Sequence, residues 1–131
     1  MTAIVAGQGL GLTNTSLGLL GGQGQLGVAE QGRSGEKVAV NAATGNLIVQ
    51  QQDEWLVGVG PDVGVLRTYN SLASSLAGSD GDNGDNWRLG FARKVTASGT
   101  FSLPGHTVTR TAEDGSEATY VYDSGRGKYL N

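Results

Sequence analysis

The chain contains no cysteine, so a disulfide framework and thiolate chemistry are both closed to it. Its one histidine, His106, excludes a multi-histidine metal site. With only two prolines it is neither collagen-like nor a proline-rich linker. Charged residues are 16% of the total, nine basic against twelve acidic, for a net charge of −3. The basic residues stand singly except for the pair Arg93–Lys94, so no dense patch exists to track phosphates and nucleic acid is not an expected partner. No apolar run reaches the roughly 18 residues of a membrane span. The N-terminal MTAIVA stretch precedes glycines at 7, 9 and 11, and no Lys or Arg occurs before Arg33, so no secretory signal is recognisable.

Glycine is abundant instead: 23 of 131 residues, more than twice the average share of about 7%. Each glycine loses more backbone freedom on folding than any other residue, so the chain needs many turns, extended sheet or neighbouring chains to stay ordered. The sequence divides at residue 35. Residues 1–35 hold ten of the glycines and read as a Gly-rich extended arm that needs a partner surface. Residues 36–131 carry strand signals. The runs 36–41 and 46–50 flank Gly45 as a hairpin, 53–57 continues or restarts a strand, and 63–69 forms another. After a polar loop at 73–86, strand runs are expected at 87–95, 100–103, 106–111 and 117–122, with Asp114-Gly115 as the last hairpin turn. The fold class is therefore all-β: short antiparallel strands and hairpins behind a glycine-rich arm, fragment-like or dependent on assembly.

Candidate sites are few. Residues 22–27 (GQGQLG) match the dinucleotide-binding fingerprint by letter, but Gly32 and Gly35 interrupt the helix that must follow, so a connector is preferred. Asp80, Asp82 and Asp85 form the densest acidic cluster and are the candidate ligands for calcium, the one possible cofactor. Counted from Asp80, positions six and twelve are Asp85 and Phe91, which rules out an EF-hand. His106 lies beside Pro104-Gly105, with nothing resembling a nucleophile elbow nearby, and is not expected to be catalytic. Asp53 and Glu54 are adjacent on a strand and point to opposite faces, so they do not form a catalytic pair. Trp55, Tyr69, Trp87, Phe91, Tyr120 and Tyr122 suit cross-strand packing better than sugar stacking. The glutamines at 23–25 and 50–52 suit edge polarity or stacked ladders.

Three phrases in order, VNAATGNL at 40–47, RTYNS at 67–71 and NWRLGF at 86–91, are similar to the start of bacterial Rhs/YD-repeat proteins. Tyr120 to Asp123, followed by Gly125, resembles a first tyrosine–aspartate unit. The resemblance covers residues 36–131 and reaches 1–35 weakly. It implies a strand-built shell that encloses a C-terminal effector, a secreted or cell-surface location without a recognisable signal peptide, and a structural, non-enzymatic role. Expected partners are the remainder of such a shell or other copies of the chain. The alternatives are a self-assembling extracellular fibre or matrix subunit and a calcium-dependent adhesive or glycan-binding module.

Overall fold

The computed structural model describes residues 2–20, 30–31, 35–73 and 85–131, and the architecture among them is all-β. In chain order the elements are β1 (Ala3–Val5), a single helical turn α1 (Leu17–Leu20), β2 (Glu30–Gln31), β3 (Lys37–Asn41), β4 (Asn46–Leu56), β5 (Val63–Asn70), β6 (Trp87–Leu89), β7 (Lys94–Ser98), β8 (Thr107–Thr111), β9 (Glu117–Asp123) and β10 (Lys128–Leu130). The first sheet runs β1-β3-β4-β5-β6, with β2 sharing the outer edge of β3. The second runs β10-β9-β8-β7 and is antiparallel throughout.

The β3–β4 hairpin forms where the sequence places it. Gly45 takes a φ of +71° and donates its N–H to the Asn41 carbonyl at 2.8 Å. Asn41 also turns its own side chain inward, its Oδ1 accepting the Ala43 N–H at 2.9 Å. The run at 53–57 continues β4 through a bulge between Gln52 and Glu54. That extra residue shifts the alternation, so Trp55 (opposite Gly64) shares a face with Ile48, Gln50 and Gln52.

Two expected strands differ. The run at 87–95 breaks into β6 and β7, because Gly90 donates to the Leu66 carbonyl at 2.6 Å and Ala92 to Leu89 at 2.8 Å, turning the chain. The run at 100–103 is a turn in which Leu103 donates to Thr100 at 3.1 Å and Ser102 has a φ of +59°. Its apolar residues Phe101 and Leu103 remain exposed.

Nor does the start of the N-terminal arm rely on a foreign surface. Residues 3–5 pair with 39–41 in parallel, the one parallel pairing between strands among the described residues. Strand periodicity then puts Ala3, Ala39, Ile48 and Asn70 in one row of the inner face, beside a row of Val5, Asn41 and Asn46. Leu20 of α1 caps the apolar part of that face, and Ala3, Leu20, Ala39 and Ile48 form the hydrophobic cluster. The cluster is small. Eleven described polar or charged residues are buried against seven apolar ones, so hydrogen bonding has to specify how the interior fits together.

Candidate functional site

Among the described residues the most concentrated chemistry is a buried polar clamp centred on Asp114, at the tip of the β8–β9 hairpin. The tip is built by local rules. Ala112 donates to the Ser116 carbonyl at 2.9 Å, Gly115 donates to Ala112 at 3.1 Å, and Gly115 has a φ of +78°. An aspartate that begins such a turn accepts from the residue two positions on. Asp114 Oδ1 does so twice, from the Ser116 N–H at 3.0 Å and the Ser116 hydroxyl at 2.6 Å.

The second oxygen reaches across the chain. Asp114 Oδ2 accepts the Ser16 N–H at 2.8 Å, the Ser16 hydroxyl at 3.0 Å and the Thr15 hydroxyl at 3.2 Å. Ser16 immediately precedes α1 and its carbonyl accepts the Leu20 N–H at 2.9 Å, so the carboxylate sits at the first turn of that helix. Asp114 is fully buried and forms no ion pair among the described residues. Five donors take the place of a countercharge, which is what makes a buried carboxylate tolerable.

Asparagines extend the clamp into the first sheet. Asn70 Nδ2 donates to the Gly11 carbonyl and, at 3.3 Å, to the Asp114 carbonyl. Asn41 Nδ2 donates to the carbonyls of Gly7 at 2.8 Å and Leu10 at 2.9 Å. Asn46 Oδ1 accepts from the Ser71 hydroxyl at 3.0 Å and the Leu72 N–H at 3.2 Å. Glu117 at the start of β9 donates its N–H to Leu12 at 2.7 Å, joining arm and second sheet directly. Gly11 lies against Ile48: a Cβ there would clash with Ile48 Cδ1, and its φ is +80°.

The residues singled out in the sequence fare differently. Asp80 and Asp82 lie outside the described residues, as do the fingerprint at 22–27 and the glutamines at 23–25. Asp85 is exposed, and its Oδ1 accepts the Trp87 N–H at 2.9 Å. His106 is buried; its Nδ1 meets the Tyr129 hydroxyl at 2.6 Å, with the rings of Phe101 and Tyr129 edge-on to it. Asp53 pairs with Arg67 at 3.0 Å, and the Arg67 guanidinium lies 4.7 Å from the centre of the Trp87 ring. Tyr69 packs on Trp87 and Tyr122 on Tyr129, as cross-strand aromatics should. Trp55 and Phe91 do not follow them: they are 53% and 71% exposed.

Residues 37–120 match a family described as a domain of unknown function, DUF6531. The chain belongs to that family. The DUF6531 segment starts at the first residue of β3 and ends within β9, so it contains Asn41, Asn46, Asn70, Asp114 and Ser116 but not Thr15 and Ser16. The tRNA nuclease WapA of Bacillus subtilis (strain 168) is 56% identical over 36 residues. The tRNA3(Ser)-specific nuclease WapA of Bacillus spizizenii is 53% identical over 36 residues. Each match spans 28% of this chain and 2% of the relative's length. No solved structure matches the chain. The DUF6531 match and these short identities are consistent with the resemblance to the N-terminal region of Rhs/YD-repeat proteins.

Sequence reasoning identified Asp114 as a turn residue and missed it as the centre of the clamp. The Asp-Gly-Ser triplet signals its local bonds to Ser116. No spacing rule connects it to Thr15 and Ser16, about a hundred residues earlier.

Proposed function

We propose that the chain works by packing, as a structural β-rich segment at the start of an Rhs/YD-repeat-like shell located outside the cell or on its surface. The observation carrying this reading is the Asp114 clamp. It ties the N-terminal arm, the first sheet and the β8–β9 hairpin into one body, and it uses carboxylate, amide and hydroxyl groups to hold backbone in place. Side chains held by five donors or wedged beneath a crossing chain are placed for rigidity rather than for turnover. The partner in this reading is more sheet. No strand lies beyond β7 or β10 among the described residues, and an open edge accepts further strands from a shell or from another copy.

Self-association into a fibre has one observation in its favour. The tip of the β4–β5 hairpin exposes Trp55, Leu56, Val57, Val59 and Val63 together, and clustered apolar residues of this kind mark contact surfaces.

Two measurements on the purified chain test the proposal. Incubated with tRNA and magnesium, it should leave the RNA intact; cleavage that persists through purification and scales with protein would overturn the structural reading. Sedimentation should give a discrete small species, whereas concentration-dependent growth into filaments would favour the fibre reading over the shell.

A further inference from the structure

We propose that the crevice between Trp55 and the Arg93–Glu113 ion pair is a binding subsite for one pyranose ring of a glycan. Three features converge on it. The first is the bulge between Gln52 and Glu54, without which Trp55 would point to the opposite face of the sheet. Bulges re-aim single side chains in this way. The second is Gly64, directly across the ladder from Trp55. A Cβ at Gly64 would stand 2.9 Å from indole atoms Cε3 and Cζ3, so the missing side chain lets the indole lie against the strand. Its exposure of 53% leaves much of the ring open.

The third feature is what faces the indole. The crevice has a volume of about 290 Å³ and is lined on its other sides by Gln52, Leu66, Arg93 and Glu113. Arg93 Nε and a Glu113 carboxylate oxygen are 2.6 Å apart, while Arg93 keeps 60% of its side chain exposed. The other guanidinium nitrogens remain able to donate, and the Gln52 amide to donate or accept. The volume is near the lower end of ligand pockets, about 300 Å³, which suits a single small ring.

An open aromatic face beside planar polar groups is matched by a pyranose. The negative face of the indole attracts polarised C–H bonds, and a gluco-configured ring with equatorial hydroxyls presents C–H groups on both faces. Its hydroxyls then lie at the rim, where a carboxylate, a guanidinium and an amide can bond to neighbouring oxygens. An axial hydroxyl at C4 interrupts one face only and leaves the other open to the indole, so gluco- and galacto-configured rings can both stack. A packing segment either carries or lacks such a subsite, whereas the fibre reading claims the same Trp55 for contact between copies.

The test follows the Trp55 indole N–H resonance, assigned by its loss in W55A, during titration with cellobiose, chitobiose and methyl β-galactoside. The proposal expects a saturable shift of this resonance, and not of Trp87, with at least one of the three sugars. W55A and E113Q should weaken binding about tenfold or more while W55F retains most of it. Unchanged sheet dispersion in the spectra of each variant shows that the fold persists. No shift at millimolar sugar, or saturable binding that W55A leaves intact, overturns the proposal. A Trp55 shift that depends on protein concentration alone also overturns it, assigning the crevice to contact between copies.

Discussion

Ser16 gives both its backbone N–H and its hydroxyl to one oxygen of Asp114, at 2.8 and 3.0 Å, across 98 positions of sequence. A single carboxylate therefore fixes the first turn of a short helix and the tip of a distant hairpin together. The arrangement places much of the fold's specificity on one side chain.

Asp114→Ala removes the acceptor for five bonds and leaves four of their donors, on Ser16 and Ser116, buried. Hydrogen bonds to charged groups are worth about 1.5–3 kcal/mol each, and their losses are not additive, so a destabilisation of about 3 kcal/mol or more is expected. Asp114→Asn keeps the shape but loses the charge, and should fall between this variant and the native chain. Chemical denaturation followed by circular dichroism measures both.

Asn41→Ala should release the arm selectively. The Gly7 and Leu10 carbonyls lose their donor while the β3–β4 ladder stays intact. Hydrogen exchange should quicken most within residues 7–14 and at the Glu117 N–H that bonds to Leu12, with smaller changes along β8 and the rest of β9, and global stability should fall by about 1–3 kcal/mol. Uniform quickening across both sheets would show that the arm is not a separable layer.

Gly11→Ala tests close approach. The new methyl group meets Ile48 Cδ1 and Asn46 Nδ2, and the backbone angle of +80° disfavours any side chain. Overpacking and backbone strain each cost about 1–3 kcal/mol, so a clear loss of thermal stability is expected. Gly18→Ala is the control: a Cβ there meets nothing within 4 Å, and its melting temperature should hold or rise.

Tyr129→Phe removes the hydroxyl at His106 Nδ1 and leaves the ring stacking in place. The expected loss is about 0.5–1.5 kcal/mol, with faster exchange confined to β10 and its pairing with β9. Nuclear magnetic resonance of the His106 ring reports the lost bond directly.

The strands were legible where local rules suffice. Gly45 and Asp114-Gly115 announce turns, and Thr107, Thr109 and Thr111 alternate along β8 as a half-covered strand requires. The breaks at Gly90 and Ser102 were not legible. Each depends on a partner elsewhere or on an unusual φ that the residue types around it do not demand. The inward face of the first sheet was partly hidden too, because Asn41, Asn46 and Asn70 read as surface or turn residues until the arm that covers them is in place. Trp55 shows the same limit. Simple alternation assigns it to one face, and a single bulged residue moves it to the other.

The parallel pairing of β1 with β3 has a consequence for the order of events during synthesis. Residues 3–5 leave the ribosome well before 39–41, which their register needs, and the latch at Ser16 waits for Asp114. Closing such long loops is slow relative to forming hairpins. The segment around β1 and Ser16 thus settles late, held open until the β8–β9 hairpin arrives to fasten it.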